Sequence, residues 1–233
     1  MPLAAYVSTA PLLEGDSLTS EEFLRRWEEM PDVKHAELID GIVYMPSPVS
    51  LDHGDFQGFL LTWLGFYGMA TPGCRASMEA TWLMGEHQVP QPDATLRILP
   101  RFGGQSEVVG GFHSGAPELI VEVAVSSYSR DFGAKRRLYE RMGVREYLIV
   151  VPRERHLAAF QLKSGGFQSL DTDEAGILRS ACFPGLWLDT NALWELDLPR
   201  MNAALQQGLS TPEHTDFAAE LSRRALSHGT QTK

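Results

Sequence analysis

The stretch Glu118-Leu119-Ile120-Val121-Glu122-Val123-Ala124-Val125 is apolar at every position except Glu118 and Glu122. A run this apolar fits a strand covered on both faces, as in sheets with helices on each side. A helical pattern follows from about Ser129 to Met142, with Gly143 placed as its C-terminal cap. Glu146 to Val151 is again apolar and β-prone. Strand, helix and strand in this order predict a parallel pair, because parallel neighbours need a crossover connection. The fold class is therefore α/β, with a mixed sheet and flanking helices.

Thr19 with Glu22 has the form of a capping box, and Phe23, Leu24 and Trp27 follow at helical spacing until Pro31. Ala36 to Met45 holds two short apolar runs around Asp40-Gly41, a hairpin signal, and Pro46-Ser47-Pro48 breaks the second run. From Leu51 to about Met69, Phe56, Phe59, Leu60, Trp63, Leu64 and Tyr67 give a helix with a broad buried stripe, ended by Pro72-Gly73. Strands are expected over 75–83 and 89–99, and the Gly-rich segment 100–116 reads as an exposed loop. Two weaker strands are expected near 156–162 and 167–170. The segment 182–189 leads into a short helix ending near Leu196. Beyond about Gln206 the chain is polar and weakly patterned, with one loose helix over 215–226. The expected organisation is an N-terminal extension (1–18), one domain (19–198) and a polar C-terminal tail (199–233).

At 233 residues and 43% hydrophobic content the chain can bury a substantial core. No apolar run approaches the roughly 20 residues that span a bilayer, and the N-terminus lacks a basic region ahead of an apolar block. A cytoplasmic protein without a membrane partner is expected. Cys74 and Cys182 have no metal-ligand spacing. The net charge of −10 argues against broad adhesion to nucleic acid. Basic residues nevertheless concentrate between Arg130 and Lys163, where Lys135, Arg136, Arg137, Arg141, Arg145, Arg153 and Arg155 also lie. Such a region is either a local polyanion-binding surface or a solvated helix face followed by surface strands.

Among residues that carry chemistry, Glu122 stands out. A carboxylate in so apolar a strand is costly unless it meets a cation, either a metal ion or a buried arginine. Glu118 shares its face but lies about 13 Å away along the strand, too far to share one ion. Asp93, after Gln91-Pro92, reads alone as turn chemistry at a strand entry. Lys135 alone is an ordinary helix lysine, paired with Asp131 at i,i+4.

Taken in order, Glu37-Leu38-Ile39-Asp40-Gly41, His53, Gln91-Pro92-Asp93, Ala116 to Val123, Asp131, Lys135, Tyr139 and Gly143 to Val150 resemble the Uma family of putative restriction endonucleases. That family belongs to the PD-(D/E)XK nuclease superfamily. The resemblance runs from about Thr19 to Leu196 and includes Pro184-Gly185-Leu186. It implies a restriction-endonuclease-like core and a metal-dependent endonuclease that hydrolyses DNA. Asp93 and Glu122 would hold Mg²⁺ or Mn²⁺, with Lys135 assisting the attacking water and Glu37 as the additional acid. His53 and Asp131 are secondary site residues, and Arg130, Arg136 and Arg137 are the expected nucleic-acid contacts. Because cutting both strands of a duplex commonly needs two sites, a homodimer is also expected.

The sequence departs from the pattern twice. The usual motif lysine, two positions after the second acid, is replaced by Ala124, which places the lysine role on Lys135. Where the family usually has Leu-Ser-Pro-Ser, this chain has Ala124-Val125-Ser126-Ser127, a change in the loop leading to that lysine. With the acidic net charge, the altered loop supports an alternative, a nuclease-fold binding or regulatory module without turnover.

Overall fold

The computed structural model describes residues 10–45 and 47–230. The first nine residues, and with them half of the expected extension, lie outside the described residues, as does Pro46.

Helix α1 (Ser20–Glu28) begins where the capping pattern places it, with Thr19 Oγ1 accepting the amide of Glu22. Strands β1 (Glu37–Ile39) and β2 (Ile42–Tyr44) form the expected hairpin. Asp40 (φ 50°) and Gly41 (φ 78°) both take left-handed backbone at its turn, the conformation that makes Asp-Gly a hairpin signal. Helix α2 (Leu51–Ala70) buries Phe56, Phe59, Leu60, Trp63, Leu64 and Tyr67, all six of the predicted stripe.

The expected strand over 75–83 is two strands in two sheets. β3 (Cys74–Ser77) joins the central sheet, whereas β4 (Trp82–Leu83) joins a small three-stranded one. Between them Glu79 adopts φ 47°, which turns the chain out of the extended path. β5 (Ala94–Ile98) begins later than expected, and Val89 instead forms an isolated bridge to Leu38. The segment expected as a loop contains a 3₁₀ turn (Pro100–Phe102) and a second hairpin, β6 (Glu107–Val109) and β7 (Phe112–Ser114). Gly110 and Gly111 make its turn, both at positive φ. Their strength as loop formers hid the short β-prone runs on either side.

β8 (Leu119–Val123) and β9 (Glu146–Val151) are the predicted parallel pair. They are joined by α3 (Tyr128–Arg130), a π-helical segment (Asp131–Lys135) and α4 (Arg136–Met142), which ends on Gly143 at φ 82°. β10 (His156–Lys163) and β11 (Gly166–Ser169) complete the six-stranded mixed sheet, in the order β11-β10-β9-β8-β5-β3. β12 (Ile177–Arg179) and β13 (Trp187–Asp189) pair with each other and lead into α5 (Thr190–Glu195).

Alternation along β8 divides the interior. Leu119, Val121 and Val123 pack into the core beneath α2, while Ile120 and Ala124 join the one beneath α4 with Leu138, Tyr139 and Tyr147. Glu122 belongs to the second row.

The C-terminal segment corrects the expectation of a polar tail with one loose helix. α6 (Leu198–Leu209) and α7 (Pro212–Thr230) are both long, and Met201, Leu205 and Leu221 are buried in the core with α2. Small residues concealed this face. A Cβ at Gly208 would stand 2.2 Å from Gly185 O, so the close approach of α6 to the 185 turn requires glycine. Among the described residues no helix is long and apolar enough to cross a membrane.

Candidate active site

Register brings the two principal acids together. β5 and β8 are antiparallel, with Ala94 opposite Val121. One step beyond that last pair, Asp93 falls opposite Glu122 and on the same face. The Asp93 carboxylate closes the gap at the end of the ladder. Its Oδ2 accepts the amide of Val123 at 2.7 Å, and its Oδ1 lies 3.2 Å from His53 Nε2 at the start of α2. That contact outweighs partial burial and raises the His53 pKa above the ordinary histidine value.

Glu122 is buried, 2% exposed. Its Oε1 accepts from Lys135 Nζ at 2.9 Å and from the Tyr139 hydroxyl at 2.8 Å. No described residue donates to its Oε2, and Glu122 lines an open cleft of about 440 Å³. Lys135 closes a π-helical segment whose two end residues, Asp131 and Lys135, are both buried, and such segments recur at functional sites. Lys135 Nζ also contacts Glu37 Oε1 at 2.8 Å and lies 3.9 Å from Asp131 Oδ1. The altered loop after Ala124 does not carry Lys135 away: the Ser127 hydroxyl donates to Asp131 Oδ2 and fixes the entry to the helix.

Glu37, at the start of β1, also accepts the amide of Gln91, which couples the hairpin to the segment bearing Asp93. Arg130 lines the cleft, with its Nε 3.9 Å from Glu37 Oε2 and its guanidinium 5.0 Å from the centre of the Tyr44 ring. Arg136 and Arg137 do not line it. Arg136 lies over the Phe160 ring at 4.6 Å, and Arg137 is exposed on the outer surface of α4. The cleft does include Arg153, from the turn after β9, which the sequence presented only as one member of a basic run.

Tyr139 is the contact that residue-by-residue reading passed over. It belonged to the ordered motif, and its position four residues after Lys135 puts both side chains on one helix face. Burial, together with the neighbouring Glu122 carboxylate, raises its pKa and keeps the hydroxyl a donor.

The electrostatics of the group are lopsided. Glu37, Glu122 and Asp131 lie within 3.9 Å of Lys135 Nζ, Asp93 adds its charge from farther off, and Arg130 stands at the edge. Burial pushes the Glu122 pKa well up, and Asp93, Asp131 and Glu37 add to it against the opposing pull of Lys135. Burial likewise raises Asp131 to about 6. For Lys135 burial favours the neutral amine, but the surrounding carboxylates outweigh it and hold the ammonium charged. Excess negative charge and hard oxygen donors suit a divalent cation. Among the described residues no three His, Cys, Asp or Glu side chains are grouped closely enough to hold one alone. An ion here would take Asp93 and Glu122 and complete its shell with water and substrate oxygens, as Mg²⁺ commonly does.

Comparison with known proteins agrees with this architecture. A crystal structure of a putative nuclease belonging to DUF820 from Anabaena variabilis superposes with a TM-score of 0.60 at 19% identity, covering 76% of this chain and 98% of that one. At that identity the likeness concerns the fold. No curated protein matches the sequence. The family model described as "Uma2: Putative restriction endonuclease" matches residues 20–191, from the first residue of α1 into α5. The chain belongs to the Uma2 family of putative restriction endonucleases.

Proposed function

We propose that the protein is a metal-dependent endonuclease that hydrolyses phosphodiester bonds in DNA. Asp93 and Glu122 are its metal-binding carboxylates and Lys135 the cation beside the attacking water. The observation that carries this reading is the convergence of three residues at one cleft. Asp93 stands opposite Glu122 by register, and Lys135 Nζ is 2.9 Å from Glu122. Family membership and a nuclease-type fold support the same chemistry.

A bound Mg²⁺ or Mn²⁺ would supply a Lewis acid for the phosphoryl oxygen and a water of lowered pKa. The chain's own residues prepare the rest. His53 and the Val123 amide fix the Asp93 carboxylate, and Tyr139 fixes that of Glu122. The charged Lys135 ammonium is suited to orient the water and to stabilise charge gathering on the phosphate, rather than to act as a base. Glu37 anchors that ammonium from the opposite side, and Arg130 with Arg153 offers positive charge to the substrate backbone. Where both strands of a duplex are cut, two such sites are commonly used, so the reading includes a homodimer.

The test is incubation of purified protein with supercoiled plasmid and Mn²⁺ beside an Asp93→Ala control. Nicking or linearisation by the wild type alone is expected. Cleavage that survives Asp93→Ala marks a contaminant and removes the proposal.

One observation favours a second reading, a binding module without turnover. Lys135 is already paired with both Glu122 and Glu37, the arrangement of a permanent internal counter-ion. That reading expects Mn²⁺ to raise the melting temperature with no cleavage of any nucleic acid.

A further inference from the structure

Beside the cleft lies an aromatic surface that the chemistry above does not use. Tyr128 opens α3 immediately after Ser127, which lines the cleft, and it is 50% exposed. Its ring stacks on Phe132, one turn on, with centroids 4.4 Å apart and planes 26° from parallel. Phe132 in turn faces the ring of His156 at 6.4 Å and 20°. Phe132 and His156 line a second groove of about 380 Å³ along β10. The two hollows flank the same helix and the same β9–β10 turn, which gives Arg153 to the first and leads directly into His156 of the second.

Phe132, the middle ring, packs against the core beneath α4, but Tyr128 and His156 on either side of it are exposed, so the three roughly parallel rings reach from the core to the surface. The row suits a flat, aromatic ligand. Arg130 and Arg153, both lining the adjoining cleft, provide charge for a phosphate backbone. A Watson–Crick duplex presents its phosphates outward and keeps its base faces covered. Only an unpaired nucleotide can offer a base to Tyr128 while its phosphate lies beside Arg130.

Building on the nuclease reading, we infer that Tyr128, backed by Phe132 and His156, is a stacking site for an unpaired base of a nucleic-acid strand next to the scissile phosphate. The preferred substrate is then a single-stranded or locally opened segment, not a continuous duplex.

The test is fluorescence anisotropy in EDTA, so that binding is read without cleavage. The probes are a labelled 12-nucleotide single strand, the same strand with one abasic position placed in turn along it, and the blunt duplex. Wild type is expected to bind the single strand more tightly than the duplex. Tyr128→Ala should weaken single-strand binding by roughly tenfold, the scale of one lost base stack, with Tyr128→Phe close to wild type. One abasic position should reproduce that loss in wild type and add little to Tyr128→Ala. Since Tyr128 is half exposed, an unchanged melting temperature will separate these effects from misfolding. The inference is overturned if Tyr128→Ala binds the single strand as wild type does, if no abasic position matters, or if the duplex is preferred. Plasmid cleavage in Mn²⁺ is scored separately. Absence of cutting with Tyr128-dependent binding defeats the nuclease reading alone, whereas cutting with Tyr128-independent binding defeats the stacking site alone.

Discussion

The amide of Val123 donates a 2.7 Å hydrogen bond to Asp93 Oδ2 at the point where the β5–β8 ladder has already ended. A carboxylate thereby continues the strand pairing in place of a backbone carbonyl, and the residue after Glu122 holds the acid opposite Glu122. Position and function are coupled through one bond, which separates two variants usually treated as equivalent. Asp93→Ala leaves the Val123 amide without its acceptor and should cost about 1–3 kcal/mol. Asp93→Asn keeps a carbonyl oxygen there and should cost less than half as much. Urea unfolding in EDTA measures the difference, and equal losses would show that the bond does not hold the strand. On the proposed metal site, Mn²⁺ should raise the melting temperature of wild type and leave that of both variants unchanged.

Lys135 is a buried cation among carboxylates, so its removal leaves uncompensated charge. Lys135→Met should destabilise the protein by about 3–5 kcal/mol near neutral pH. Adding Glu122→Gln removes the charge that lysine had balanced, and the double variant should regain a large part of that loss. Strictly additive losses in denaturant unfolding would mean that the two side chains do not act as a pair.

Asp131 gives a pH signature with a definite sign. Burial raises its folded pKa to about 6, above the roughly 3.9 of an unfolded aspartate. Folding therefore takes up a proton between those values, and the group's contribution is most favourable below about pH 4 and declines as pH rises towards 6. Asp131→Asn does not titrate. Its stability relative to wild type should climb by on the order of 2 kcal/mol from pH 4 to 6.5 in EDTA. A flat difference between the two proteins across that range would contradict the assignment.

The C-terminal helices should behave as core. Leu205, on α6, is fully buried, and Leu205→Ala should cost about 2–5 kcal/mol. Leu198, on the same helix but 43% exposed, should cost less than about 0.5 kcal/mol when changed to Ala. Neither change should alter the Mn²⁺-dependent shift. Comparable small effects at both positions would indicate that α6 contributes little to stability.

Elements set by local chemistry were legible without coordinates. Thr19 caps α1, Asp40-Gly41 turns the first hairpin and Gly143 ends α4, each for reasons contained within a few residues. The failures share a cause as well. The hairpin over 107–114 hides behind Gly110-Gly111, and the buried face of α6 is written partly in Ala204 and Gly208, which carry little hydrophobic signal. The basic run does not act as one surface. Contiguous Arg136 and Arg137 are not among the residues lining the cleft, while Arg130 and Arg153, 23 positions apart in the chain, both line it.

By itself the sequence determined the strand–helix–strand unit, because a strand apolar on both faces must be covered on both, and it marked Glu122 as a carboxylate in need of a cation. Only the tertiary structure decided what surrounds that carboxylate. Asp93 arrives through the antiparallel register of β5 on β8, and Glu37 through the Gln91 amide. Lys135 and Tyr139 arrive on the helix that crosses between β8 and β9, the lysine at the end of its π-helical segment. A strand's own pattern says which of its faces is buried, but which distant segment it pairs with, and which side chains then stand opposite, depends on packing between parts of the chain far apart in sequence.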